Sequence, residues 1–144
     1  MQGELIHESS GQIIGTRVLP SEGGEVRIEV TAQGQGTLCG KSVTTTGTYW
    51  QTVRPDGGYY GEGEVVFITD DGEVATWRGF GVGRPTGAPP AASFATVGAG
   101  RSGSPSLSRV NSVATVGEYD VEASGRWTWK LHAAVPAGAL AGTR

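Results

Sequence analysis

Apolar and polar residues alternate with a period of two along most of this chain, and turn-forming residues interrupt the alternation roughly every 8 to 12 residues. No helical period persists over several turns, so the pattern predicts strands. The opening strands are Leu5 to Glu8 and Ile13 to Leu19, closed by Pro20-Ser21-Glu22-Gly23-Gly24, which supplies a fixed φ and positions open to positive φ. In Glu25 to Thr31, Val26, Ile28 and Val30 share one face and Glu25, Arg27 and Glu29 the other, as in a sheet with a core side and a water side. A Thr-rich strand from Ser42 to Arg54 turns through Pro55-Asp56-Gly57-Gly58 into Tyr59 to Thr69. Asp70-Asp71-Gly72-Glu73 then leads to Val74 to Arg84, completing a meander. Beyond a loop from Pro85 to Pro90 come a strand from Ser93 to Ala99 and a serine-rich connection, Arg101 to Ser108, with room for a single helical turn. The last hairpin joins Val110 to Val121 with Arg126 to Ala133 across Glu122-Ala123-Ser124-Gly125. Pro136 to Arg144 carries no pattern and is expected to be a loose tail after a single domain of residues 1–135.

About eight or nine strands joined by short sequential turns favour a closed antiparallel up-and-down β-barrel over a sandwich. Greek keys need long return connections, and closure removes the strand edges. A barrel of this size can hold one small ligand. Turn geometry decides which residues share a face. Pairing Arg54 with Tyr59 and Asp70 with Glu73 gathers Tyr49, Gln51, Val53, Tyr60, Glu62, Glu64, Val66, Ala75, Trp77, Gly79 and Gly81 on one side of the meander. The other side carries Thr44, Thr46, Thr48 and Thr52 with Trp50, Gly61, Gly63 and Arg78, and reads as a solvent-facing threonine surface with Trp50 across the glycines. A bulge at Gly57-Gly58 would shift part of this by one residue and invert it. In the last hairpin, pairing Val121 with Arg126 sets Trp127, Trp129 and Leu131 on the face of Ala114, Val116 and Glu118. A buried tryptophan removes about 150 to 250 Å² from water, so this is the inward face and Glu118 goes in with it, opposite Trp129.

Length and composition narrow the class. A chain of 144 residues suits one domain, and 37% hydrophobic with 17% charged residues fits neither a disordered nor a membrane-embedded chain. The 25 glycines have no three-residue period and point to tight turns and strand positions that need no side chain. A net charge of -3 with scattered Lys and Arg argues against nucleic acid as a partner. Met1-Gln2-Gly3-Glu4 opens no basic and then apolar leader, and no run approaches the roughly 18 apolar residues of a membrane span. A cytoplasmic location without a membrane partner is the expectation. Cys39 is alone, so packing rather than a disulfide must hold the fold.

Carboxylates in such an interior are costly unless paired or raised in pKa, which makes Glu62, Glu64 and Glu118 candidates for proton transfer; the plainer reading is three solvated acids. Glu62, Glu118 and Tyr49 form the candidate catalytic set. Gln51, Tyr60, Glu64, Trp77, Trp127 and Trp129 form the candidate pocket wall, with simple core packing as the plainer reading of the aromatics. His7 and His132 have no Asp or Cys at ligand spacing, so neither a metal nor any other cofactor is expected, and both read as surface or edge residues. Cys39 reads as a small buried or loop cysteine. Gly79-Phe80-Gly81-Val82-Gly83 mimics a phosphate loop, but Arg84-Pro85 ends a strand where a helix would have to begin.

Thr48-Tyr49-Trp50, Arg54-Pro55-Asp56-Gly57, Tyr60-Gly61-Glu62-Gly63, Ala75-Thr76-Trp77 and the run Gly79 to Arg84 together resemble a family of short microbial proteins similar in outline to allene oxide cyclase-like, calycin-like barrels. The resemblance spans Gly34 to Lys130, is specific at the meander and thin around Ala91 to Ser108. It implies the barrel. Some members of that group are cyclases that fold a reactive apolar substrate in a shaped cavity with few catalytic groups, and no catalytic residue carries over. Three readings follow. The barrel binds a small apolar molecule; or it is a cofactor-independent cyclase or isomerase acting in the same cavity; or it is filled and acts through its surface, as in a homo-oligomer using the threonine-rich face. A cavity of several hundred Å³ containing Glu62 or Glu118 would favour the first two.

Overall fold

The period-two runs become eight strands: β1 (Gln2–Val18), β2 (Arg27–Leu38), β3 (Lys41–Val53), β4 (Tyr59–Thr69), β5 (Val74–Pro85), β6 (Ala92–Ser102), β7 (Ala114–Val121) and β8 (Arg126–Ala134). This computed structural model describes residues 2–21 and 23–135, and the expected tail of 136–144 lies outside the described residues. Each strand pairs antiparallel with the next and β8 returns to β1, so the sheet is a closed up-and-down barrel. No helix among the described residues is long and apolar enough to cross a membrane.

The two opening segments form one strand. Its register against β8 shifts between Leu5 and His7, and against β2 between Ile13 and Gly15, so bulges interrupt the alternation without ending the pairing. As a result Ile6 and His7, adjacent in sequence, are both buried.

Three hairpins turn on one device. Pro55-Asp56-Gly57, Asp70-Asp71-Gly72 and Ala123-Ser124-Gly125 are three-residue loops whose glycines sit at φ 87, 87 and 86. In each, the glycine N–H donates to the carbonyl of the residue before the loop: Gly57 to Arg54, Gly72 to Thr69, Gly125 to Glu122. This is a type I turn followed by a left-handed glycine, and it fixes Arg54 opposite Gly58, Thr69 opposite Glu73 and Glu122 opposite Arg126. The pairings expected from sequence are each off by one residue. The error inverts β4 and β7. Inward go Gly61, Gly63, Val65 and Phe67 on β4, and Thr115, Gly117, Tyr119 and Val121 on β7. Between β3 and β5 the two slips cancel, so Tyr49, Ala75 and Trp77 face inward as expected.

A 3₁₀ helix, Pro105–Ser112, closes one end of the barrel with Leu107, which is 0% exposed, and Val110. Ion pairs between Arg109 and Glu4 and between Lys41 and Glu73, with Ser106 donating to Glu73 at 2.8 Å, fasten it to the rim. Burial of Leu107 and Val110 is the larger contribution, because exposed ion pairs are individually weak. Cys39 is half-buried in the tight Cys39-Gly40 turn between β2 and β3.

Candidate functional site

The three carboxylates do not enter the barrel. Glu62, Glu64 and Glu118 are all exposed, which corrects the interior position expected for them. Glu118 pairs across from Lys130 rather than Trp129, and Glu62 lies between Trp50 and Phe80 on the outer face. Tyr60 is outside as well: its ring stacks on Phe80 and its hydroxyl donates to Glu62 at 3.2 Å. Trp50 does not lie across the glycines; its indole N–H donates to Glu29 at 2.9 Å. Gln51 shares the inward face of Tyr49 but does not border the cavity described next.

Inside, the aromatic residues converge. Tyr49, expected in the catalytic set, and Trp77, Trp127 and Trp129, expected as pocket wall, surround one cavity together with Phe94 and Tyr119. Glycines make this packing feasible. Trp77 lies against Gly79 and Gly98, where a Cβ would fall about 2.5 Å from the indole carbons Cζ2 and Cε2, and a Cβ on Gly63 would fall 2.7 Å from that of Tyr49. The cavity volume is about 80 Å³, well below the several hundred expected and about half the roughly 150 Å³ of an apolar cavity that takes up benzene. Most of the interior is therefore side chain, and the remaining space runs along the glycine-lined walls of β4 and β5. Glu62 and Glu64 border it only through their strand, since their side chains point out.

The cavity's accessible lining is almost wholly apolar, and the polar groups of the residues around it, turned away from the space itself, fall into two sets. Trp77 donates to Thr115 at 2.9 Å, the Thr115 hydroxyl donates in turn to the carbonyl of Gly98 at 3.1 Å, and Trp129 donates to Thr96 at 3.2 Å. These are satisfied. Trp127, 2% exposed, has an indole N–H with no partner among the described residues, and the hydroxyl of Thr45 likewise has none. The Tyr49 and Tyr119 hydroxyls lie 3.1 Å apart. One bond between two hydroxyls uses one proton, so the pair retains a second. Burial pushes the Tyr49 phenol up to about 12 and the Tyr119 phenol up as well, so both stay protonated donors at neutral pH.

Nearer the plugged end lies a histidine that sequence reading puts at the surface. His7 is 0% exposed and packs edge-on to Trp129 and against Phe67. Its Nδ1 is 2.8 Å from the carbonyl of Thr37, which can only accept, so the proton sits on Nδ1 and Nε2 accepts from the Ser9 hydroxyl at 2.8 Å. Burial lowers its pKa to about 4, opposed in part by the Thr37 bond. Neither His7 nor Ser9 borders the cavity. Tyr119, Phe94, Thr96 and Thr45 are among the bordering residues that sequence reading misses. The readable signal for Tyr119 is the glycine ending each three-residue turn, which fixes the face of β7.

No family model matches this chain, and no curated protein does. Among solved structures, the chain is similar to a conserved protein of unknown function from Rhodopseudomonas palustris, at TM-score 0.76 and 20% identity over 92% of this chain and 96% of the other. It is also similar to a protein of unknown function from Clostridium acetobutylicum, at TM-score 0.77 and 16% identity over 94% and 100% of the two chains. A third is a β-barrel-like protein from Acinetobacter baumannii, at TM-score 0.72 and 17% identity over 90% and 93%. At these identities the likeness establishes the shared fold. The barrel implied by the sequence resemblance is thus shown; none of the three descriptions names an allene oxide cyclase.

Proposed function

We propose that the barrel binds a small, largely apolar molecule in the cavity between Tyr49, Trp77, Phe94, Tyr119, Trp127 and Trp129. The observation that carries this reading is Gly61. A Cβ there would meet Trp50, Tyr49 and Phe94 at 3.6, 3.8 and 4.0 Å, ordinary contact distances, and its φ is not of the left-handed kind. Neither sterics nor backbone conformation requires glycine, and glycine inside a strand costs roughly 0.5–1 kcal/mol relative to alanine. Its effect is to keep space open beside Tyr49.

Gly61→Val is therefore expected to fill the cavity, leave stability unchanged or raised by roughly 0.5–1 kcal/mol, and abolish ligand binding. Native mass spectrometry of protein purified from its own cell extract checks this: the wild type should carry a molecule of defined mass that the variant lacks. A wild type empty under every growth condition would contradict the reading and favour a filled barrel acting through its threonine-bearing outer face. The outline shared with allene oxide cyclase-like barrels, together with the spare tyrosine proton, supports a second reading. In it the same cavity orients a reactive substrate and Tyr49 donates to developing charge. Turnover of the co-purified molecule distinguishes enzyme from binder.

A further inference from the structure

We infer that the outer face of the barrel carries a second site, which takes a small alkylated ammonium cation between Trp50 and Phe80 with Glu62 as its counter-ion. The site is separate from the interior cavity and does not rest on the binding function proposed above.

Glu62 stands between the two aromatic residues in the pairing of β3, β4 and β5, so Trp50 and Phe80 are two strands apart, about 10 Å at the backbone. Cation–π attraction acts within about 6 Å of a ring centroid, so one cation midway reaches both rings. Trp50 and Phe80 are 45% and 47% exposed, and the groove they border together with Glu29, Glu64 and Arg78 has a volume of about 500 Å³.

Both rings are propped from outside that groove. The Arg27 guanidinium lies 5.9 Å from the Trp50 ring, and the indole N–H is held by Glu29. Phe80 stacks on Tyr60 at 6.1 Å, and Tyr60 is itself fixed by its bond to Glu62 and by Arg54, 4.8 Å from its ring centroid. Neither Arg27 nor Tyr60 borders the groove, so the supported side of each ring is not the groove side. This face already sets two guanidinium groups on aromatic rings, and the groove presents the same combination of ring and carboxylate to solvent.

Charge selects the sign of the ligand. Three carboxylates border the groove against one guanidinium. Glu29 is committed to Arg17 and Trp50, and Arg78 lies directly across from Glu64. Glu62 is the carboxylate left between the rings, with the Tyr60 hydroxyl as its one hydrogen-bond partner among the described residues. An anion would meet net negative charge. A metal ion would gain no ligand oxygen from two hydrocarbon walls, whereas an alkylated ammonium spreads its charge over methyl groups that the rings and the carboxylate can all touch.

Choline and 3,3-dimethylbutan-1-ol have the same outline and differ by a quaternary nitrogen in place of a carbon, so they isolate the charge. Each is titrated into the full chain, with potassium chloride holding the ionic strength constant, while the four tryptophan indole N–H resonances are followed by NMR. Trp50 is assigned from the resonance missing in Trp50→Phe. Choline should move the Trp50 resonance saturably, leave those of the buried Trp77, Trp127 and Trp129 in place, and bind about tenfold more tightly than the alcohol. Phe80→Leu and Glu62→Gln should each weaken choline about two- to fivefold. Both side chains are exposed, and unmoved interior tryptophan resonances show that the variants keep the fold. Equal affinity for choline and the alcohol, a Trp50 shift that never saturates, or choline affinity unchanged in both variants would overturn the site and leave the interior cavity untouched.

Discussion

Alanine at Gly79 is expected to destabilise the barrel by about 3 kcal/mol or more, at the upper end of what overpacking costs. A Cβ at this position would fall well inside contact with the main-chain oxygen of Val97 on β6 and about 2.5 Å from the Trp77 ring. Rotating Trp77 away relieves only the second clash. It would also forfeit the Trp77 bond to Thr115 and the edge-on contact with Trp129, whose ring centroid is 4.9 Å away. The oxygen belongs to the β5–β6 ladder and cannot move without opening the sheet. Chemical denaturation of Gly79→Ala beside Gly61→Ala measures the difference directly. A sharply lowered midpoint is expected for the first and no loss for the second. Equal midpoints would mean that the indole does not rest on the β5 glycine.

The second large effect is pH dependence at His7. Its folded pKa of about 4 lies below the ordinary value of 6.5. Above pH 6.5 the imidazole is neutral whether the chain is folded or not, and stability is fully present. As pH falls from 6.5 toward 4 the unfolded chain takes up a proton that the folded chain refuses, so stability declines across that window. The shift corresponds to about 3 kcal/mol when complete. Protonation would place a second N–H on the nitrogen that now accepts from Ser9, between the rings of Phe67 and Trp129. Denaturation midpoints measured between pH 7 and 4 should fall steeply for the wild type and much less for His7→Gln. Parallel curves would show that His7 is solvated or paired with a charge.

Strand order and closure were legible in the sequence because they depend on alternation and short turns, which are local. Register was not. Each of the three hairpins is a three-residue loop ending in a left-handed glycine, whereas the expected pairings made the first and last loops one residue too long and the middle one a residue too short. One loop residue more or fewer exchanges the two faces of a strand. That exchange carried Glu62, Glu64 and Glu118 from the expected interior to the surface and brought Tyr119 in. Trp77 escaped because two such offsets cancel by β5, and Trp127 and Trp129 escaped because tryptophan burial fixes their face without reference to a partner. His7 could not be read from alternation at all, since a bulge buries it beside Ile6 and no period-two pattern places neighbours on one face. The glycine-lined wall was half visible: Gly79 and Gly81 were expected on the Tyr49 side, whereas Gly61 and Gly63, expected on the outer side beneath Trp50, face inward beside Tyr49.

The central claim is that a real, accessible space lies beside Tyr49 inside a barrel otherwise filled by its own side chains. A crystal structure determined under xenon pressure measures that space without assuming the chemistry of the natural ligand. One xenon atom bounded by Tyr49, Gly61, Gly81 and Phe94 is the expected result, lost in Gly61→Val. Xenon bound only on the outer face, or nowhere, would mean that the interior is closed packing and that the binding function assigned to it is wrong.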